Sequence, residues 1–241
     1  MSSLVLHAWW PSRLEGADAC AVHLEEMLRR LSVLHPVFAR WRRQAGSKAA
    51  AQRPFCSMPP HAAELQSIIA KTGKRHATGR PLPELGYRLA AWNEVDEDHG
   101  LFFHAEVGEQ RDGIGDFNNI FFQLGGESSA NRDLLNYAVL KDVLVAVAQS
   151  WNADWGTIEP WGCDLRPKNA KGDLLRPWGG WLTYLCPAFA SKITPPAAAI
   201  TERLSNGGLL MTVTKDPFDP DNPSQVAVYN SIQASLRPLR T

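Results

Sequence analysis

The alternation of apolar and polar residues predicts helices near the start of the chain and strands in its middle. Ser3 to Trp10 is β-prone and predicts a first strand that stops at Pro11. From Gly16 onward, a long amphipathic helix is predicted, because apolar residues recur at helical spacing. These are Ala21, Leu24, Met27, Leu28 and Leu31. A further helix is predicted from Pro60 to Thr72.

The middle of the chain has the period of two that is typical of half-buried strands. Three segments alternate in this way: residues 86–93, 101–107 and 117–124. Short polar or glycine-containing links join them, and links of this length favour antiparallel neighbours over crossover units. We therefore expect an antiparallel meander.

The stretch from Asn131 to Leu185 organises the second half. Asn131 to Ala148 predicts a helix, with Asn131 as its N-cap and Asp133 in its first turn. The remaining predictions are strands at Trp155–Trp161, Trp181–Cys186 and Gly208–Thr214, and helices at Pro196–Leu204 and Ser224–Leu236. Runs of strands and runs of helices indicate the α+β class: a single domain over residues 1–241, with a mostly antiparallel sheet and helices packed against it.

Tryptophan is concentrated in this second half, where five of the nine residues lie between Trp151 and Trp181. Such a cluster usually forms part of the core, since an indole buries a large area and needs one partner for its N–H. It can also line a ligand pocket or a partner surface. The core interpretation is favoured because the cluster flanks predicted regular elements.

Composition narrows the class of function. The chain has 25 basic and 25 acidic residues, whereas a nucleic-acid-binding protein usually has a basic excess. No apolar run is long enough to cross a bilayer, and the N-terminus lacks the pattern of a signal peptide. Cys20, Cys56, Cys163 and Cys186 are scattered, which predicts reduced, mostly buried thiols. We expect a cytoplasmic protein.

No catalytic or metal-binding motif is present. The seven histidines form no HExxH or zinc-like pattern, and Gly125 to Ser129 departs from the nucleophile elbow. The glycine pairs at residues 179–180 and 207–208 are not phosphate-binding loops, and are expected where a side chain would clash. His99 and His104 lie near Asp96, Glu97 and Asp98, but such clusters are usually solvated turns. We expect no cofactor, no metal and no enzymatic activity.

Acidic side chains crowd two predicted turns. The first turn has Glu94, Asp96, Glu97 and Asp98, and the next connection has Glu109, Asp112 and Asp116. Basic residues gather earlier, at Arg40, Arg42, Arg43, Lys48 and Arg53, and at Lys71, Lys74 and Arg75. Charged loops are usually only solubilising. They can also steer and hold a partner of opposite charge, such as the cleft of a nucleic-acid enzyme.

A series of aromatic and glycine motifs runs along nearly the whole chain. In order they are Ala8-Trp9-Trp10 with Arg13, Pro36-x-Phe38-x-x-Trp41, Leu85-Gly86-Tyr87 with Trp92-Asn93, Trp151-Asn152-x-Asp154-Trp155-Gly156, Gly180-Trp181-Leu182-Thr183-Tyr184-Leu185, Gly207-Gly208-Leu209-Leu210 and Phe218-Asp219-x-x-Asn222-Pro223. This series resembles the immunity protein 52 family of bacterial polymorphic toxin systems.

The resemblance implies a non-enzymatic inhibitor that protects the producing cell by binding a toxin, often one with a restriction-endonuclease-like nuclease domain. The motif residues are mostly aromatic, Gly and Pro, so they are expected to determine the fold. No inhibitory residue can be carried over from the family. From charge alone, we hypothesise partner contacts at Glu94, Asp96, Glu97, Asp98, Asp112 and Asp116.

Two other hypotheses remain. A small-molecule enzyme or binding protein would use the tryptophan cluster as its pocket, and would place a perturbed titratable residue beside Trp155, Trp178 or Trp181. A scaffold without a toxin partner is the third. We expect a protein partner, with no direct binding to nucleic acid and none to a membrane.

Overall fold

A computed structural model of the chain describes residues 3–44, 47–93, 100–110, 117–125, 133–163 and 165–240. Within these ranges the strands are β1 (Leu4–Pro11), β2 (Arg42–Arg43), β3 (Leu85–Trp92), β4 (Phe102–Glu109), β5 (Phe117–Gln123), β6 (Trp155–Pro160), β7 (Leu182–Leu185), β8 (Ile200–Arg203) and β9 (Leu209–Thr212). The helices are α1 (Ala17–Leu34), α2 (Lys48–Ala51), α3 (Ala62–Ala70), α4 (Tyr137–Ser150), α5 (Pro187–Ala190) and α6 (Pro223–Ser235). A 3₁₀ helix covers Pro36–Ala39 and another Arg237–Leu239.

All of these strands join one antiparallel sheet in the order β2-β3-β4-β5-β1-β6-β7-β9-β8. The predicted meander is confirmed as β3-β4-β5, and the α+β prediction is confirmed with it. Strand β1 lies in the middle, where it pairs with β5 on one side and β6 on the other. The N-terminal segment therefore joins the two halves of the sheet.

One face of the sheet, here called the inner face, packs against the long helices. The even-numbered residues of β1 point to it, and Trp10 stacks on Trp151 at the end of α4 with ring centroids 5.2 Å apart. The Trp151 indole N–H in turn faces the Met27 sulfur of α1 at 3.2 Å. All five apolar residues of the predicted α1 stripe are buried, as the helical period requires, and Cys20 is buried with them.

The opposite, outer face is covered over only part of its width. Over β1, β6 and β7, the segment leading into β7 and helix α6 form a second layer. Gln233 of α6 accepts a hydrogen bond from the Gly179 N–H and donates one to the Gly179 carbonyl. A Cβ at Gly180 would lie 2.5 Å from the Ile158 carbonyl oxygen. The predicted reason for this glycine pair, close approach of another chain segment, is confirmed there.

Helix α4 begins later than predicted. It starts at Tyr137 and is capped by Asn136, whose side-chain oxygen accepts a hydrogen bond from the Ala138 N–H. Asn131 lies outside the described residues. Asp133 lies in a turn before the helix and not in the first helical turn, where it was predicted. Its carboxylate is 3.3 Å from His35 Nε2. Leu134 and Leu135 are buried although they lie in the turn before the helix, so the apolar pattern begins before the cap and does not locate it.

The predicted helix at Pro196–Leu204 is wrong. Ile200–Arg203 is instead β8, the outermost strand next to β9. The two strands form a hairpin closed around Asn206 and Gly207, with Gly207 at φ +83° and the Leu204 N–H bonded to the Gly208 carbonyl. Pairing with β9 overrides the weak local preference, and an Asn-Gly pair between two apolar runs is a hairpin signal.

Candidate partner-binding surface

The outer face over β3, β4 and β5 keeps half-buried and exposed side chains among the described residues. Along these strands, fully buried inner-face residues alternate with half-buried or exposed ones. The outward-pointing residues are Arg88, Ala90, Trp92, Phe102, His104, Glu106, Asn119, Phe121 and Gln123. We call this set, together with Trp161 at the end of β6, the open face.

The open face is aromatic along the end of the sheet where β6 finishes. Trp161 is 59% exposed, and its ring meets Phe121 edge-on with centroids 5.9 Å apart. Half-buried Trp92 and Phe102 are paired across β3 and β4 at the same end. An exposed indole beside other aromatic rings is the kind of group that anchors protein partners.

Two histidines on the outer side of the sheet lie against apolar surroundings that favour the neutral imidazole. His7 stacks on Trp9 with centroids 4.8 Å apart and contacts Phe121 at 4.9 Å. Burial, with the Arg166 and Arg176 charges adding to it, lowers the pKa of His7 to about 3. Desolvation also lowers the pKa of His104, although Glu106 opposes the shift. The surface at these positions is therefore uncharged at neutral pH.

The only ion pair described on the open face joins β3 to β4. Arg88 Nη2 lies 2.6 Å from Glu106 Oε1, and the two residues are directly paired across the strands. This cross-strand pair fixes the Arg88 side chain at the outer margin of the sheet. Burial raises the pKa of Glu106, but the Arg88 hydrogen bond and charge outweigh it, and the net pKa is lowered.

All six residues hypothesised as partner contacts lie outside the described residues. Glu94, Asp96, Glu97 and Asp98 fall in the gap between Asn93 and Gly100, and Asp112 and Asp116 fall between Gln110 and Phe117. The flanking strands show that these two gaps begin at opposite ends of β4, about 25 Å apart. The nearby Glu109 is described and lies 3.7 Å from Lys74 Nζ.

The tryptophan cluster is packed as predicted for a core. Trp9, Trp155 and Trp178 are at most 5% exposed, and the Trp9 and Trp155 rings stack with centroids 3.8 Å apart. Trp178 meets both rings edge-on, at 4.7 and 4.8 Å. These are van der Waals contacts, so no ligand fits between the rings. The core interpretation of these residues is confirmed, whereas Trp161 of the same sequence cluster faces solvent.

A perturbed carboxyl lies beside this cluster. Glu159 is 2% exposed on β6, and burial raises its pKa to about 7, although Arg166 and Trp178 oppose the shift. Arg166 Nε is 3.9 Å from Glu159 Oε1, and the guanidinium lies over the Trp178 ring. Three buried oxygen atoms in this region have no hydrogen-bond partner among the described residues: Glu159 Oε2, Thr157 Oγ1 and the Tyr229 hydroxyl. A perturbed residue at this place is what the hypothesis of a small-molecule enzyme or binding protein predicts, but no nucleophile–base pair accompanies it among these neighbours.

No described residues assemble a metal site or a membrane span. Within the described ranges, no three His, Cys, Asp or Glu side chains are placed to hold a metal ion. None of the helices there combines the length and apolar character that crossing a bilayer requires. The four cysteines form no disulfide with one another, and all but half-buried Cys186 are buried.

Comparison with known proteins decides the family. The family model of immunity protein 52 matches residues 4–239. The chain belongs to the immunity protein 52 family. Its fold is similar to that of the Pseudomonas aeruginosa T6SS protein PA0821, with a TM-score of 0.52 and 11% identity over 99% of this chain and 73% of that chain. No curated protein matches the sequence.

In this immunity protein 52 family member, several motif residues meet backbone or packing requirements of the fold. Asn152, two residues after the end of α4, has φ +48°, which few residues other than Gly and Asn adopt. A Cβ at Gly156 would lie 3.0 Å from the His7 carbonyl of β1. The sequence pattern did not predict the open face as a binding surface, although the alternation that predicted β3 to β5 also marks its outward residues.

Proposed function

We propose that this chain binds and neutralises a cognate nuclease toxin in the cytoplasm, without catalysis of its own. The observation that carries the proposal is the immunity protein 52 match over residues 4–239. The motif series also resembles that of TsiT, the immunity protein of the type VI secretion effector TseT. The partner is accordingly a type VI effector with a restriction-endonuclease-like nuclease domain.

The toxin contacts the open face, with Trp161 as the apolar anchor. Trp161 is the most exposed tryptophan of its sequence cluster, while its neighbour Phe121 holds the ring against the sheet. Interface energy concentrates in such aromatic residues when a partner removes them from water. The acidic residues Glu94, Asp96, Glu97, Asp98, Asp112 and Asp116 belong to the connections that extend from β3, β4 and β5. They steer basic toxin residues that normally hold phosphate.

The test is co-purification with the product of the adjacent gene, followed by a DNA-cleavage assay with and without this protein. A tight complex that stops cleavage supports the proposal. Unimpeded cleavage together with no complex rejects that toxin as the partner. A complex that leaves cleavage intact rejects inhibition while keeping the binding.

The acidic contacts are tested separately by charge reversal. Changing Asp96, Glu97 and Asp98 together to Lys should slow association at low salt by about tenfold or more, because the attraction becomes repulsion. The difference between low and high salt should also shrink or change sign. Stopped-flow association at two salt concentrations measures both effects. An unchanged rate at both concentrations would show that these residues are not contacts.

A further inference from the structure

One edge of the sheet is strongly basic although the whole chain is neutral. Between Arg40 and Asn93 there are ten Lys and Arg residues and two Glu. This segment contains β2, α3 and β3, which together form the β2 edge of the sheet and its flank. The overall charge balance hides this separation, because the compensating acids lie elsewhere in the chain.

The basic edge is concave. A groove of about 430 Å³ opens between β2, α3 and β3, and we call it the edge groove. Buried Phe55 and Leu89 belong to its apolar floor, and Arg43, Lys71 and Arg88 to its exposed rim. None of the described residues that line it is Asp or Glu. Its volume is in the range that holds a small ligand or a few side chains.

Among the described residues, two carboxylates of this part of the sheet already have partners. Glu106 is paired with Arg88, and Glu64 accepts hydrogen bonds from the Ser57 N–H and hydroxyl. These Ser57 bonds lower the pKa of Glu64, and the Arg43 charge adds to them. Lys71, at the end of α3, has no ion-pair partner among the described residues. The groove therefore keeps a positive surplus.

The positive lining continues past β2. A second groove of about 350 Å³ lies beside Arg40, Arg42 and Met58, again with no Asp or Glu among its described lining residues. A charged edge alone is a common device against strand pairing between molecules. That device requires neither a concave shape nor an apolar floor. The combination of floor and rim is a recognition feature.

We propose that the edge groove receives an acidic segment of the toxin, with an apolar residue on the floor and Asp or Glu side chains against Arg43 and Lys71. Charge complementarity selects this occupant, because a carboxylate at the rim meets Arg43 and Lys71, and the described residues that line the groove include no Asp or Glu. The toxin's identity as the partner rests on the proposed function. The groove is a second contact region, at the β3 margin of the open face.

An acidic protein segment fits better than nucleic acid. A phosphate backbone has no apolar group to place against Phe55 and Leu89, and most protein–nucleic acid hydrogen bonds go to phosphate and sugar. A protein segment supplies both an apolar side chain and carboxylates within a few residues. Arg88 is held by Glu106, so a ligand chiefly meets Arg43 and Lys71.

The experiment compares two double charge reversals of the full chain. The groove variant is Arg43→Glu with Lys71→Glu. The control variant is Arg203→Glu with Lys215→Glu, which makes the same change in net charge at exposed positions near the opposite edge. Lys71→Glu alone is the second groove variant, in case loss of the hydrogen bond from Arg43 Nε to the Pro54 carbonyl disturbs folding.

Each protein is titrated against the purified effector from the adjacent gene, and against a short fluorescent peptide of alternating Asp, Glu, Leu and Phe. We expect the groove variant to bind the effector at least about tenfold more weakly than the control variant, with a smaller loss for Lys71→Glu. The peptide should bind the wild type and the control but not the groove variant.

Effector binding that is equal in the groove and control variants overturns the groove proposal and leaves the immunity function standing. If the wild type does not bind the effector, the immunity proposal fails for that effector, and the peptide then decides the groove. If the peptide binds the groove variant as tightly as it binds the wild type, the groove proposal is overturned. A fluorescent DNA duplex that binds the wild type and loses affinity only in the groove variant also overturns it, in favour of a nucleic-acid site.

Discussion

The two halves of the outer sheet face differ in what covers them. Over β1 and β6, Trp9 and Trp155 lie beneath Trp178 and are at most 5% exposed. Over β3 to β5, side chains at equivalent outward positions remain half-buried or exposed. In both halves the inward-pointing residues are mostly apolar and buried, so the inner face does not distinguish the halves.

This difference shows that aromatic residues on one face of the sheet either complete the core or stay exposed to solvent. Under the second layer, stacked indoles and α6 complete the core. On the open face, Trp161 and Phe121 contact each other and solvent. Apolar surface that the chain does not bury itself is available to a partner, and the family to which the chain belongs works through a partner. Four predictions, from the largest effect to the smallest, test this contrast.

Trp155→Ala should destabilise the protein by about 3 to 5 kcal/mol, because it removes a buried ring stacked on Trp9 and leaves a cavity. Urea unfolding followed by circular dichroism measures the loss. Trp161→Ala is the matched control in the exposed position and should stay within about 1 kcal/mol of the wild type. Equal losses in the two variants would remove the distinction between the covered half and the open face.

Glu159→Gln should stabilise the protein at high pH but much less at low pH. The pKa of Glu159 is raised to about 7 in the folded state, from 4.5. Between these values the folded protein binds more protons than the unfolded chain, so the unfolding free energy falls as pH rises. The loss amounts to about 3 kcal/mol by pH 8, and Gln removes it.

Urea unfolding of the wild type and Glu159→Gln at pH 5 and pH 8 measures this gap. Glu202→Gln, at an exposed position on β8, is the control. A gap that is the same at both pH values would show that Glu159 ionises normally beneath the covering layer.

Trp161→Ala should weaken toxin binding by about tenfold to thirtyfold, as expected for an aromatic anchor worth about 2 kcal/mol. Its folding should be nearly unchanged, because the ring is 59% exposed. Calorimetric titration with the purified effector measures the affinity. Lys215→Ala, an exposed change away from the open face, is the control. An unchanged affinity would move the toxin interface away from this part of the open face.

Arg88→Ala should change the unfolding free energy by less than about 1 kcal/mol. Its side chain is 63% exposed, and solvent screens its attraction to Glu106. The same urea titration at low and high salt measures the effect, which should diminish with salt. A loss as large as that of Trp155→Ala would show that the open face is a structural layer as rigid as the covered half.

The local pattern predicted most elements, because each one has a period that a single face imposes. The α1 stripe, the meander and the strands at β6, β7 and β9 lie where apolar spacing placed them. The two failures occur where the local pattern is ambiguous. Ile200–Arg203 is an exposed edge strand that pairs with β9 alone among the described strands. Asn136 caps α4 just after Leu134 and Leu135, which are buried in a turn and extend the apolar pattern beyond the start of the helix.

The sequence by itself determined the class of fold, the buried character of most of the tryptophan cluster and, through its motif series, the family. These depend on periodicity, residue volume and backbone demands, which each segment expresses locally. Only the tertiary structure decided which outward residues stay uncovered and which cations line one groove. Trp155 begins β6, and Trp161 directly follows its last residue, six positions later on the same face of the sheet. Packing buries Trp155 and leaves Trp161 exposed. Arg43, Lys71 and Arg88 line one groove because β2, α3 and β3 come together at one edge of the sheet, and nothing in the spacing of these residues along the chain encodes that arrangement.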